Sequence, residues 1–195
     1  MARKAKIHRK TTETDISIGL NLDGTGNGEI STTVAFIDHM LSLFARHGLF
    51  DLVVKAKGDK HIDDHHIVED IGICLGDAVK KALGNKRGIV RYGSATVPMD
   101  ESLCSVAIDI SGRPYLIYNV EFKYRKIGKF DFSLIKEFFK SFSDHSGMTL
   151  HINLVYGKNN HHMAEAIFKA FALALRKAVT IHSRIEGILS TKGSL

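Results

Sequence analysis

Apolar and polar residues alternate along residues 5–22, with Ile16, Ile18, Leu20 and Leu22 on one face, and this period of two predicts a β-strand. Asp23-Gly24-Thr25-Gly26-Asn27-Gly28 interrupts the alternation before Ile30 resumes it, which predicts a hairpin. The period then lengthens. Phe36 to His47 places its apolar residues at helical spacing and is stopped by Gly48, so an amphipathic helix is expected there. Leu49 to Ala56 returns to a strand pattern, Gly58-Asp59 marks a turn, and DDHHIVEDIGICLGDAVKKALG follows with helical spacing.

After Gly84-Asn85-Lys86-Arg87-Gly88 the same succession starts again. Val106 and Ile108 sit in a strand, Ser111-Gly112-Arg113-Pro114 is a turn, and Ile135 to His145 is an amphipathic helix. Strand-like MTLHINLVY and a turn at Gly157 lead into the helical stretch NNHHMAEAIFKAFALALRKAV. Matching positions keep near-constant offsets: Glu13 to Glu101 and Asp23 to Ser111 span 88 positions, Ile37 to Ile135 spans 98, and His65 to His161 spans 96. Loop insertions account for such small differences. The prediction is an α+β chain built by internal duplication, with halves at 1–92 and 93–195 that each run strands, helix, strand, helix.

The chemistry concentrates in the repeat. His65-His66-Ile67-Val68-Glu69 returns as His161-His162-Met163-Ala164-Glu165, each copy heading a helix whose first turn Asp64 or Asn160 can cap. The first His and the Glu are four apart and share a helix face, whereas adjacent histidines diverge by roughly 100°. Each arm therefore offers ligands in two directions, which suits two metal ions drawing on both arms better than one tetrahedral ion. The duplication also pairs His39 with Glu137 and His47 with His145. His39, His65, His66, Glu69, Glu137, His161, His162 and Glu165 then make eight nitrogen or carboxylate donors, four for each ion. Six-coordinate manganese or iron would keep about two positions for substrate or water.

Composition narrows the setting. With 195 residues, 44% hydrophobic and 25% charged, the chain can bury a sizeable core. It shows no apolar run of membrane-spanning length and no secretory segment, so a cytoplasmic protein is expected. Cys74 and Cys104 lie in apolar stretches and read as buried reduced thiols. The net charge of +6 is spread through the chain without a nucleic-acid module, so it is assigned to attracting a small phosphorylated substrate. The glycines of residues 23–28 precede a strand-like EISTTV and not a helix, which argues against a phosphate-cradling loop.

On sequence alone several residues have ordinary explanations. His8, His61 and His182 read as structural or exposed, Lys80-Lys81 and Lys86-Arg87 as a solvated helix end, and Arg91, Arg113 and Glu13 as surface charges. Lys169 follows Glu165 by four and reads as an ion pair worth a few tenths of a kcal/mol. Asp63, Asp64 and Asp70 are expected to cap helices or orient ligand histidines.

DDHHIVEDIGICLG, NNHHMAEAIFKAF, FIDHMLSLFARHG and DISGRPYL together resemble the imidazoleglycerol-phosphate dehydratase family, over nearly the whole chain. The resemblance implies dehydration of D-erythro-imidazole glycerol phosphate to imidazole acetol phosphate in L-histidine biosynthesis, two Mn2+ per active site, and the ribosomal protein S5 domain 2-like fold. It also implies a homo-oligomer of 24 subunits with active sites at subunit contacts, and neither a nucleic-acid nor a membrane partner. The metal ligands it implies are His39, His65, His66, Glu69, His161, His162 and Glu165; Glu137 stands where many members carry histidine, with His145 and His151 as nearby substitutes. Substrate contacts fall to Glu13, His47, Arg91, Arg113, Lys169, Ser190 and Lys192, and catalysis to Glu13 with His39, His65, Glu69, His161 and Glu165. Held by metals at both nitrogens, the imidazole ring would act as imidazolate and relay electrons to expel hydroxide. At 195 residues the chain is expected to carry the dehydratase unit alone, without the phosphatase unit fused to some relatives. Two other classes remain open: a dinuclear metal-dependent hydrolase and a non-catalytic metal-storage or nucleic-acid-binding shell.

Overall fold

The computed structural model describes residues 3–59 and 61–195. Its elements, in chain order, are β1 (Lys4–Lys10), β2 (Thr14–Asn21), β3 (Gly28–Ser31), α1 (Ala35–Gly48), β4 (Asp51–Gly58), α2 (His65–Leu83), β5 (Tyr92–Met99), β6 (Ser102–Asp109), β7 (Tyr115–Asn119), β8 (Lys126–Ile127), β9 (Phe130–Asp131), α3 (Ser133–Ser146), β10 (Thr149–Tyr156) and α4 (Asn160–Val179). One sheet has the order β1-β2-β4-β3 and the other β5-β6-β10-β7, the same topology twice. In both, the fourth strand joins the edge in parallel and the remaining pairs are antiparallel.

Each sheet buries one face. Thr14, Ile16, Ile18 and Leu20 of β2 point inward with Leu52, Val54 and Ala56 of β4, and Ser102, Cys104, Val106 and Ile108 of β6 repeat the arrangement opposite Leu150 and Ile152 of β10. The long helices lie on those faces, α2 on the first sheet and α4 on the second. The shorter helices cross over, α1 packing on α4 and α3 on α2, so both halves share one core. Within that core Phe44 stacks on Phe171, and Phe139 and Phe142 meet Phe171 edge to face. The offset rises from 88 to 98 because residues inserted before α3 fold into the extra β8–β9 hairpin.

Three expectations are corrected. Residues 5–22 form two strands, not one, because the Thr11 hydroxyl accepts the backbone N–H groups of Glu13 (3.1 Å) and Thr14 (3.0 Å) and turns the chain between them. The glycine-rich stretch does not close a hairpin either. β3 crosses to the far side of β4 and runs parallel to it, with Gly28 opposite Leu52. The loop is held by the Asp51 carboxylate, which accepts from the backbone of Thr25 (2.9 Å) and Asn27 (3.3 Å) and so fills the place an anion would take. Lastly, Asp64 holds the N-cap position of α2 but makes no side-chain cap bond, which Asp63 supplies by accepting from His65 N–H at 2.8 Å, and α4 is capped one residue earlier than expected, by Asn159, which accepts from His161 N–H at 2.9 Å.

Candidate metal centre

The packing of α1 on α4 brings His39 of the first half against the arm of the second. His39 Nε2 lies 3.1 Å and His161 Nε2 lies 3.0 Å from Glu165 Oε1. These three donor atoms lie within 4.8 Å of one another and form one of two groups among the described residues that could hold a cation. Glu165 is 8% exposed, and its other oxygen accepts from Lys169 Nζ at 2.6 Å. Burial alone would raise the Glu165 pKa, but the Lys169 ammonium and His39 outweigh it and bring it down to about 2. The carboxylate is therefore anionic at neutral pH. The Lys169 pair is also more enclosed than a surface i,i+4 pair, with side-chain exposures of 16% and 11%.

In the first arm, His65 Nε2 stands 3.7 Å from Glu69 Oε2, and both side chains are about two-fifths exposed. Glu137 occupies in α3 the position that His39 holds in α1, yet among the described residues no three-donor group includes Glu137, His65 or Glu69. The substitutes considered for Glu137 are engaged elsewhere or turned away: His145 Nδ1 pairs with Asp77 at 3.1 Å, and His151 is exposed on β10.

The second histidine of each arm faces an acid from a loop. His66 Nδ1 is 3.0 Å from Asp59, and Glu13 stands off at 3.8 Å; these three form the other candidate group. His162 Nδ1 is 2.7 Å from Glu101. Hydrogen bonds to these acids raise the pKa of both histidines. Sequence reasoning missed Asp59 and Glu101 as partners, although the match of Glu101 to Glu13 in the repeat was a signal. Asp70 orients no arm histidine: buried at 8% exposure, it bonds to Thr14 and to Arg9 Nε, tying α2 to the first two strands.

The remaining residues are dispersed. Arg91 holds Asp109 through two bonds (2.7 and 3.2 Å) and donates to the Leu189 carbonyl at 2.9 Å, so it anchors the C-terminal segment that carries Ser190 and Lys192. The Ser190 hydroxyl accepts the Lys192 N–H at 3.2 Å. His47 is half-buried at the end of α1, and burial, with Lys169 and other cations near it, lowers its pKa. Glu13 is exposed in the β1–β2 turn and Arg113 in the turn before β7. Among the described residues no hydrogen bond or ion pair joins the Arg91 group to the Glu165 group. The thiols of Cys74 and Cys104 are free and buried, and burial pushes both up to about 12. No helix among the described residues is long and apolar enough to cross a membrane.

The β8–β9 hairpin borders both arms. One cleft beside it is lined by His65, Asp64, Arg125, Lys126 and Lys129, and another by Phe36, His39, Phe130 and His161. A duplicated α+β fold with imidazole and carboxylate donors gathered where the halves meet fits a metal site of the kind enzymes use. The family model for imidazoleglycerol-phosphate dehydratase matches residues 32–175. An imidazoleglycerol-phosphate dehydratase of Syntrophus aciditrophicus is 64% identical over 99% of this chain and 98% of its own, and that of Geobacter sulfurreducens is 59% identical over the full length of both. The crystal structure of the Staphylococcus aureus dehydratase is similar with a TM-score of 0.82 at 42% identity, covering 92% of this chain and 99% of that one. The Pyrococcus furiosus structure gives a TM-score of 0.84 at 38% identity, covering 97% and 100%. The chain belongs to the imidazoleglycerol-phosphate dehydratase family, whose members are hydro-lyases of histidine biosynthesis.

Proposed function

We propose that the chain dehydrates D-erythro-imidazole glycerol phosphate to imidazole acetol phosphate at a site that holds two Mn2+. The observation that carries the metal reading is the convergence of His39, His161 and Glu165 from separate halves onto a space of one ion. Imidazole nitrogen with carboxylate oxygen suits manganese, and the absence of cysteine among the donors disfavours a closed structural zinc site. His65, Glu69 and Glu137 form the corresponding set for a second ion, with His66 and His162 as further donors. When bound, the two ions would take up both ring nitrogens of the substrate and stabilise the ring as it gains electron density.

The chain's own groups do the rest. Lys169 keeps Glu165 ionised and ready to bind a cation. Glu13, exposed and 3.8 Å from His66 Nδ1, moves the proton between substrate carbon and solvent in this reading. Arg113, Lys169, Ser190 and Lys192 supply the cations and hydroxyl that a phosphate dianion calls for, together with His47. Arg91 contributes by fastening Leu189 beside Ser190 while keeping N–H groups spare. Because these groups are dispersed in one chain, the reading includes a homo-oligomer in which neighbours complete each site, and the family resemblance implies that this assembly is a 24-subunit shell.

The test is to incubate the manganese-loaded protein with imidazole glycerol phosphate and follow the keto product and inorganic phosphate together. Formation of imidazole acetol phosphate without phosphate release is the expected result. Phosphate release without the keto product would replace this reading with a dinuclear hydrolase.

A further inference from the structure

We propose that Glu101 and Asp59 are positioning residues that fix His162 and His66 in the tautomer whose free nitrogen is Nε2, so that metal binds these histidines through Nε2 alone. The inference rests on the metal-site reading above. A carboxylate within hydrogen-bond reach of Nδ1 makes that nitrogen the donor, which leaves the lone pair on the opposite side of the ring. Glu101 Oε2 is 2.7 Å from His162 Nδ1, and Asp59 reaches His66 Nδ1 with one oxygen at 3.0 Å and the other at 3.2 Å. His39 and His161 also present Nε2 to Glu165, so four ring nitrogens of one kind are assigned to the metals.

The two halves achieve this with non-equivalent acids. Glu101 matches Glu13 in the repeat, but Glu13 stands 3.8 Å from its histidine and Asp59 has taken the contact. In the second half the glutamate is committed to holding the ligand; in the first half an added aspartate does so and leaves the glutamate free. The acids also differ in how they are held. Glu101 Oε1 accepts from the backbone N–H of Lys158 (3.1 Å) and Asn159 (2.7 Å) and from the Ser102 hydroxyl (3.0 Å), so the carboxylate cannot turn over. Both Asp59 oxygens face only His66 among the described residues.

This contrast makes paired amide variants diagnostic. In Glu101→Gln the three donors retain the amide oxygen at the Oε1 position, so the NH2 group faces His162 Nδ1 and forces the other tautomer, with the loop intact. In Asp59→Asn the amide is free to turn and offer its oxygen. Full-length protein is titrated with Mn2+ against a colorimetric chelator, and the melting temperature of the metal-free protein is recorded alongside. Glu101→Gln is expected to bind one equivalent about 10- to 100-fold more weakly with an unchanged metal-free melting temperature. Asp59→Asn is expected to stay within about threefold of wild type, and Asp59→Ala to fall about as far as Glu101→Gln. Wild-type affinity in Glu101→Gln, equal losses in both amide variants, or a lowered metal-free melting temperature in Glu101→Gln would overturn the positioning role. His162→Ala is the control for the underlying site: if it keeps both equivalents at full affinity, the metal reading itself is wrong, whereas loss there with none in Glu101→Gln rejects only the positioning role.

Discussion

The two arms share a sequence pattern and a helix position but not a state. The second arm is closed: Glu165 is buried, bonded to His39 and His161, and held anionic by Lys169. The first arm is open, with Glu69 and His65 partly exposed and 3.7 Å apart. The difference follows from two residues. Lys169 corresponds to Ile73, so Glu69 has no ammonium one turn further along its helix, and His39 corresponds to Glu137, so the first arm has a carboxylate in α3 where the second arm meets an imidazole from α1. A histidine can bond to a glutamate without a cation; two carboxylates repel until a cation lies between them. Duplication thus preserved the scaffold, with the second arm drawn together by its own side chains and the first left open.

The largest expected effect comes from removing one histidine from each arm. His161→Ala and His65→Ala should both abolish dehydration and lower metal content, measured by turnover and by metal analysis; full activity in either would break the equivalence of the arms. Next is the lysine that separates them. Glu165 has its pKa lowered from 4.5 to about 2, so it contributes stability that is present above about 4.5 and is lost as pH falls through about 2. Lys169→Met should remove much of that contribution, on the order of 2 kcal/mol in the metal-free protein. Urea unfolding at pH 7 and pH 3 would show it as a shrunken difference between the two conditions, and an unchanged difference would show that Lys169 does not sustain the closed arm.

A smaller effect concerns how closely the helices approach. A Cβ on Gly72 would lie 2.5 Å from the Phe138 carbonyl oxygen, and one on Gly76 2.8 Å from that of Phe142, so α2 packs backbone to backbone on α3. The equivalent residues of α4 are Phe168 and Ala172, and that helix meets its neighbours through side chains. Gly72→Ala should cost about 1–3 kcal/mol and, if the two helices share an ion, weaken metal binding at the first arm, because it pushes α2, which carries His65 and Glu69, away from α3, which carries Glu137. Ala172→Gly should leave metal affinity near wild type, as checked by chelator titration.

Much of this organisation was legible in local patterns. Hydrophobic period and the recurrence of His-His-x-x-Glu revealed the duplication and placed both arms at helix starts, and the helix offset matched His39 to Glu137. What could not be read were contacts between distant segments. Nothing in residues 23–28 indicates that β3 crosses β4, because the Asp51 carboxylate that organises the loop comes more than twenty positions later. Asp59 lies in an ordinary Gly-Asp turn, and only the fold shows that it faces His66. Asn159 was overlooked as a cap because the adjacent Asn160 is the same residue type, and the local backbone decides between neighbours. The surroundings of Lys169 likewise include Met99 from a distant segment, whose sulfur accepts from the ammonium at 3.2 Å.

The most direct test of two unequal arms is to count manganese per chain under graded chelator in wild type, Glu137→Ala and His39→Ala, with turnover followed in parallel. The expected result is two equivalents in wild type that leave in separate steps; Glu137→Ala should lose one at lower chelator and keep the other, and His39→Ala should lose the equivalent that Glu137→Ala keeps. Glu137→His should remain active with its preference moved towards zinc, since imidazole is a softer donor than carboxylate. If Glu137→Ala keeps both ions and full rate while His145→Ala or His151→Ala loses one, the first arm takes its partner from elsewhere and the pairing of His39 with Glu137 is wrong.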